Sequence, residues 1–167
     1  MKLKGSCHCK AVRFSVVSHE PVPFMRCYCS ICRKTAGTGG FAINLGADHR
    51  TLKIKGKKNL SVYRARIDKK DYNGKGKPTT RSKGQRHFCK LCGTALWLWD
   101  PRWPDLVHPH AGAIDTDLPL PPQSVHMMLG SKANWAGVHV GPNDQCVDEY
   151  PDESLAQWHE RLGLGSP

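Results

Sequence analysis

The chain has 167 residues, 39% hydrophobic and 23% charged, the size and composition of one globular domain spanning 1–167 with its own core. No stretch approaches the ~20 apolar residues of a membrane span, and residues 1–5 lack the apolar run of a secretory signal, so the expectation is a cytoplasmic protein with no membrane partner. The formal net charge is +11; cysteines bound to metal as thiolates bring it to about +8, still basic enough to favour an anionic partner.

Sixteen glycines and twelve prolines leave few helical stripes. Val12, Phe14 and Val16 alternate with Arg13 and Ser15, the period of a half-buried strand. Segments 41–45, 51–55 and 61–63 read as further short strands. Segment 69–84 holds six basic residues against Asp71, with Gly74, Gly76 and Pro78 between them, and is expected to be an exposed basic loop. Ala95 to Trp99 is apolar on both faces, which predicts a buried strand. The proline-rich segment 101–122, with His108 and His110, is expected to wrap the surface, and 124–128 is a weaker strand. A C-terminal helix is expected at about 153–162: Asp152 offers a cap, Leu155, Trp158, His159 and Leu162 form one face, and Gly163 stops it. Many short strands and one late helix indicate a mainly β domain.

The chemistry lies in the cysteines. Seven of the eight fall in three clusters: Cys7-His8-Cys9, Cys27-Tyr28-Cys29-Ser30-Ile31-Cys32 and Cys89-Lys90-Leu91-Cys92. In a reducing compartment such clusters are metal ligands more often than disulfides. An all-sulfur set favours zinc over calcium or magnesium, with iron the main competitor. A closed structural zinc takes four protein ligands, and a catalytic one takes three and keeps a position open. Seven sulfurs divide into four plus three, so two zinc ions are expected. Spacing alone does not partition them. Cys7, Cys9, Cys89 and Cys92 can share one ion and leave Cys27, Cys29 and Cys32 open, or Cys146 can close the second set.

Three stretches in order, Gly5-Ser6-Cys7-His8-Cys9-Lys10-Ala11-Val12-Arg13-Phe14, then Cys27 to Lys34 with Gly37, then Arg86-His87-Phe88-Cys89-Lys90-Leu91-Cys92-Gly93-Thr94-Ala95-Leu96, resemble the glutathione-dependent formaldehyde-activating enzyme (Gfa) family, which includes centromere protein V. The resemblance implies a zinc-stabilised fold of short antiparallel sheets. It implies a structural zinc on Cys7, Cys9, Cys89 and Cys92 and a catalytic zinc on Cys27, Cys29 and Cys32. It also implies a carbon–sulfur lyase that joins glutathione and formaldehyde reversibly into S-hydroxymethylglutathione. Two departures stand out: Lys10 where the family has glycine, and the basic segment 69–84, which reads as an insertion before the third motif.

A three-thiolate zinc suits the holding of an incoming thiol as thiolate, with a small aldehyde or related electrophile beside it. Hydrolysis or lysis of an imine-like or thiol-adduct substrate would use the same open position. Binding of nucleic acid or chromatin by a non-catalytic zinc module is a further alternative, less favoured because the aromatics do not interleave with the basic run. His8, Tyr28, His108 and His110 are candidates for proton transfer. Arg33 is a candidate for pairing with a substrate carboxylate. Trp97 and Trp99 are expected in the core, with a pocket wall as the alternative.

Overall fold

The computed structural model describes residues 1–67 and 81–165. Most of the expected basic loop therefore lies outside the described residues, and its last part, 81–84, instead opens a strand. In chain order the elements are β1 (Lys2–Ser6), β2 (Arg13–Glu20), β3 (Met25–Cys27), α1 (Ser30–Ala36), β4 (Ala42–Ile43), β5 (Gly46–Lys55), β6 (Leu60–Arg66), β7 (Arg81–Cys89), β8 (Ala95–Trp99), β9 (Leu106–Pro109), β10 (Val125–Met127), β11 (Gln145–Cys146) and α2 (Leu155–Arg161). The fold is mainly β, as expected.

Seven strands form one antiparallel sheet in the order β1-β2-β5-β9-β8-β7-β6. A smaller sheet, β11-β10-β3-β4, mixes parallel pairing of β10 to β3 and β11 with the antiparallel β3–β4 pair. Alternation works as the pattern on β2 predicts, with Phe14 and Val16 buried. They pack with Leu3, Leu45, Leu96, Trp97 and Val107 as the main core. Trp97 meets Phe14 edge-on at 5.1 Å and stacks on His87, so it is a core residue.

Segment 101–122 is not simply a surface wrap. It contains β9, which lies between β5 and β8, and Val107 is fully buried. Prolines masked this strand, but Pro109 ends it rather than interrupting it. At the C-terminus the helix is capped by Ser154, not Asp152: Ser154 Oγ accepts the Gln157 N–H, and the Gln157 side chain accepts the Ser154 N–H. Trp158 stacks flat on Phe24 at 3.7 Å, and His159 Nε2 accepts the Val22 N–H at 3.1 Å. The helix thereby closes a second core, with Val22 and Val125, over the chain entering β3. That packing fixes the strand that ends in Cys27.

Candidate metal centres and the adjoining cleft

Two hairpin tips build the first sulfur set. In the β1–β2 turn Lys10 N–H donates to the Cys7 carbonyl and Cys7 N–H to that of Val12; in the β7–β8 turn Gly93 N–H donates to the Cys89 carbonyl and Cys89 N–H to that of Thr94. The tips meet where His8 N–H donates to Thr94 Oγ1 and where Cys9 Sγ lies 3.8 Å from Cys89 Sγ. Cys7, Cys9, Cys89 and Cys92 offer sulfurs that all lie within 4.8 Å of one another. Gly93 holds φ +73°, the left-handed bend that lets the second tip fold back. Lys10 takes the same region at φ 60°, so the turn keeps a glycine-like conformation without glycine. Its ammonium donates to Ser6 Oγ at 2.7 Å and pairs with Asp115 at 3.2 Å, which ties the strained residue down.

The second set is local. Cys27 ends β3, Cys29 is the N-cap of α1, and Cys32 lies in its first turn. Cys29 Sγ accepts the Cys32 N–H at 3.3 Å. These three sulfurs also lie mutually within 4.8 Å. Hydrogen bonds from the Cys27 and Cys32 thiols hold Cys29 down to about 2, against the opposing effect of burial. The same contact with Cys29 pushes Cys27 up. In the first set, bonds from the Thr94 hydroxyl and from backbone N–H groups bring Cys92 down to about 5. Crowded thiols that share protons in this way are a donor set suited to a soft or borderline divalent cation, which replaces the shared protons, and zinc fits both sets.

Cys146 is exposed on β11 and belongs to neither sulfur set. His8 is exposed on the first hairpin tip. Tyr28 is buried and turned to His126, 3.0 Å from Nδ1, while His126 Nε2 reaches Asp144 at 3.1 Å. A carboxylate only accepts, so Nε2 carries a proton toward Asp144, and Nδ1 shares the second hydrogen bond with the Tyr28 hydroxyl. N–H bonds from Gly141, Ser124 and His126 hold Asp144 down to about 2. This chain of side chains braces the β3–α1 corner from behind.

The family described as "Glutathione-dependent formaldehyde-activating enzyme" matches residues 2–130. The chain belongs to that family. A Halomonas elongata protein named "Putative glutathione-dependent formaldehyde-activating enzyme" is 56% identical over 164 residues, covering 98% of each chain. A crystal structure of a Rhodobacter sphaeroides protein aligns at 25% identity with a TM-score of 0.49, over 71% of this chain and 92% of that one.

In this member of the glutathione-dependent formaldehyde-activating enzyme family, two adjoining depressions of about 280 and 300 Å³ lie between α1 and the β7–β8 hairpin, and both are lined by Thr35, Gly93, Ala95 and His110. Arg86 lines the first and Arg33 the second. Arg86 Nη2 also approaches Cys32 Sγ at 3.6 Å, which joins the cleft to the three-sulfur set. His110 is buried, and burial followed by the charge of Arg86 lowers it to about 3, so it is neutral at pH 7. His108 is half-buried with Nδ1 3.1 Å from the Leu45 carbonyl oxygen. Neither histidine joins a sulfur set. Sequence reasoning passed over Arg86, whose only signal is its place three residues before Cys89, and it passed over the Tyr28–His126–Asp144 brace.

Proposed function

We propose that the protein is a zinc-dependent carbon–sulfur lyase that adds a glutathione-like thiol reversibly to a small aldehyde such as formaldehyde. In this reading Cys7, Cys9, Cys89 and Cys92 hold a structural ion, and Cys27, Cys29 and Cys32 hold a catalytic one. The observation that carries it is the inequality of the two sulfur sets. Four sulfurs gather at the hairpin tips, three gather at the β3–α1 corner, and Cys146 stays apart.

A zinc ion bound by three thiolates supplies a position at which a substrate thiol is held as thiolate near neutral pH. The chain's own residues do the rest. Buried Cys27 and Cys32 and half-buried Cys29 leave the set open on the Cys29 side. The N-cap bond fixes the Cys29 sulfur, and the Arg86 guanidinium places positive charge beside Cys32. The overall step needs no oxidant or reductant. The thiol sulfur forms a bond to the aldehyde carbon, the carbonyl π pair moves to oxygen, and the thiol proton ends on that oxygen. Proximity is the main service the site offers, since thiols and formaldehyde also combine unaided. The name of the Halomonas relative supports glutathione and formaldehyde as the reacting pair.

The test is exchange NMR on zinc-quantified protein with a panel of thiols and aldehydes. Acceleration of hemithioacetal exchange is expected for glutathione with formaldehyde, and Cys29→Ser is expected to abolish it. No acceleration for any pair would end this reading.

A further inference from the structure

Among the described residues the cleft beside the three-cysteine set is cationic and has no acid in its wall. Arg33, Lys34 and Arg86 line it, and neither Asp nor Glu does. Elsewhere three exposed arginines are paired, while Arg26, over the Phe41 ring and outside the cleft, shares the unpartnered Nε. Arg50 meets Asp48 at 2.9 Å, Arg102 meets Asp100 at 2.7 Å and Arg161 meets Glu153 at 2.8 Å, with arginine side-chain exposures of 72%, 53% and 43%. Water screens those charges and would tolerate them unpaired. Arg33 and Arg86 are half-buried, where a lone charge is costly, yet neither meets a carboxylate among the described residues and the Nε of each is buried without a partner. His110, 6% exposed, also lines the cleft with its Nδ1 unpartnered. Guanidinium groups and a neutral imidazole make a donor set for one small anion.

We propose that this cleft binds the carboxylate of the thiol substrate through Arg86 and Arg33, with His110 as a further donor, so that the preferred thiol is an acid. The proposal rests on the thiol–aldehyde reading and adds the group that recognises the thiol. Contact between Arg86 and Cys32 puts the anion site and the sulfur set within one small molecule's reach. Volumes near 300 Å³ are at the small end of ligand pockets, enough for the acid end of a short peptide.

The probe is S-methylglutathione, whose capped sulfur cannot become a thiolate. It is titrated into the zinc-loaded protein by calorimetry, with amide NMR to locate it. Binding is expected to shift Thr35, Gly93 and Ala95. It is expected to weaken about tenfold or more in Arg86→Gln at unchanged zinc content. Because Arg86 touches Cys32, Arg33→Gln is the second variant, with the same direction expected. The dimethyl ester is expected not to bind. Equal binding of the ester, wild-type affinity in both variants, or shifts confined to another face would overturn the proposal. So would inorganic phosphate displacing the probe at lower concentration than acetate, which would mark a phosphate site. A final arm separates the two ideas by comparing formaldehyde exchange of 3-mercaptopropionate with that of 2-mercaptoethanol. Equal acceleration of both overturns the carboxylate site and leaves the lyase reading intact. Acceleration of no thiol, glutathione included, with S-methylglutathione still held in the cleft, sinks the lyase reading alone.

Discussion

The two sulfur sets should differ in what they hold together, and paired serine substitutions measure that difference. The Cys9–Cys89 contact closes a loop 80 residues long. The set at Cys27, Cys29 and Cys32 closes only five residues of chain. In a chain-entropy description a cross-link restrains the unfolded chain by (3/2)RT ln n, so an ion in the first set contributes about 2.5 kcal/mol more than one in the second. For a chain of this size that is about 5–10 °C in Tm. Cys29→Ser is a clean partner because serine is a preferred N-cap and keeps α1 started. Cys92→Ser should therefore lower Tm by at least about 5–10 °C more than Cys29→Ser. Thermal unfolding followed by circular dichroism, with zinc counted by mass spectrometry, reads both. Each variant is expected to lose one equivalent of metal. Equal Tm losses at equal metal loss would refute the division into a fold-holding set and an open one.

Three further outcomes follow from particular residues. Gly93 has φ +73° and open space where a Cβ would stand, so Gly93→Ala meets only backbone strain and should cost about 1–2 kcal/mol in a urea titration. Tyr28→Phe removes one bond of the brace and leaves buried His126 Nδ1 unpartnered; a loss of about 1–2 kcal/mol is expected, with zinc content unchanged. His110 is lowered from 6.5 to about 3, so the unfolded chain takes up its proton first: the stability is fully present above about pH 6.5 and is lost as pH falls from there toward 3. Between about pH 7.5 and 6.0 this amounts to about 0.8 kcal/mol, and His110→Leu should flatten the urea-derived stability slope by that amount.

Much of the domain was legible where local pattern and tertiary demand agree. Phe14 and Val16 sit on a strand that is buried on one side only, so alternation survives in the sequence. The cysteine clusters were legible because ligands of one ion are confined to tight turns. Strand β9 was not, since Leu106 to Pro109 is short and set among prolines, and its place between β5 and β8 is a long-range fact. The first half of β5 was hidden for a related reason. Asp48, His49 and Arg50 look like loop residues, and only long-range pairing, of Asp48 with Val17 and of Ala47 with Val107, shows the strand.

The cleft was illegible for a deeper reason. Arg33 could be singled out because it follows Cys32 directly, but Arg86 lies 54 residues from Cys32 and His110 lies in a segment that reads as surface. No periodicity links residues that meet only when the β7–β8 hairpin folds beside α1. The same hairpin carries Cys89 and Cys92 to the first sulfur set and Arg86 to the second. A metal held by Cys7, Cys9, Cys89 and Cys92 would therefore also fix the arginine beside the three-cysteine set. Loss of the four-cysteine ion should then disturb substrate recognition as well as stability, although none of its ligands lines the cleft.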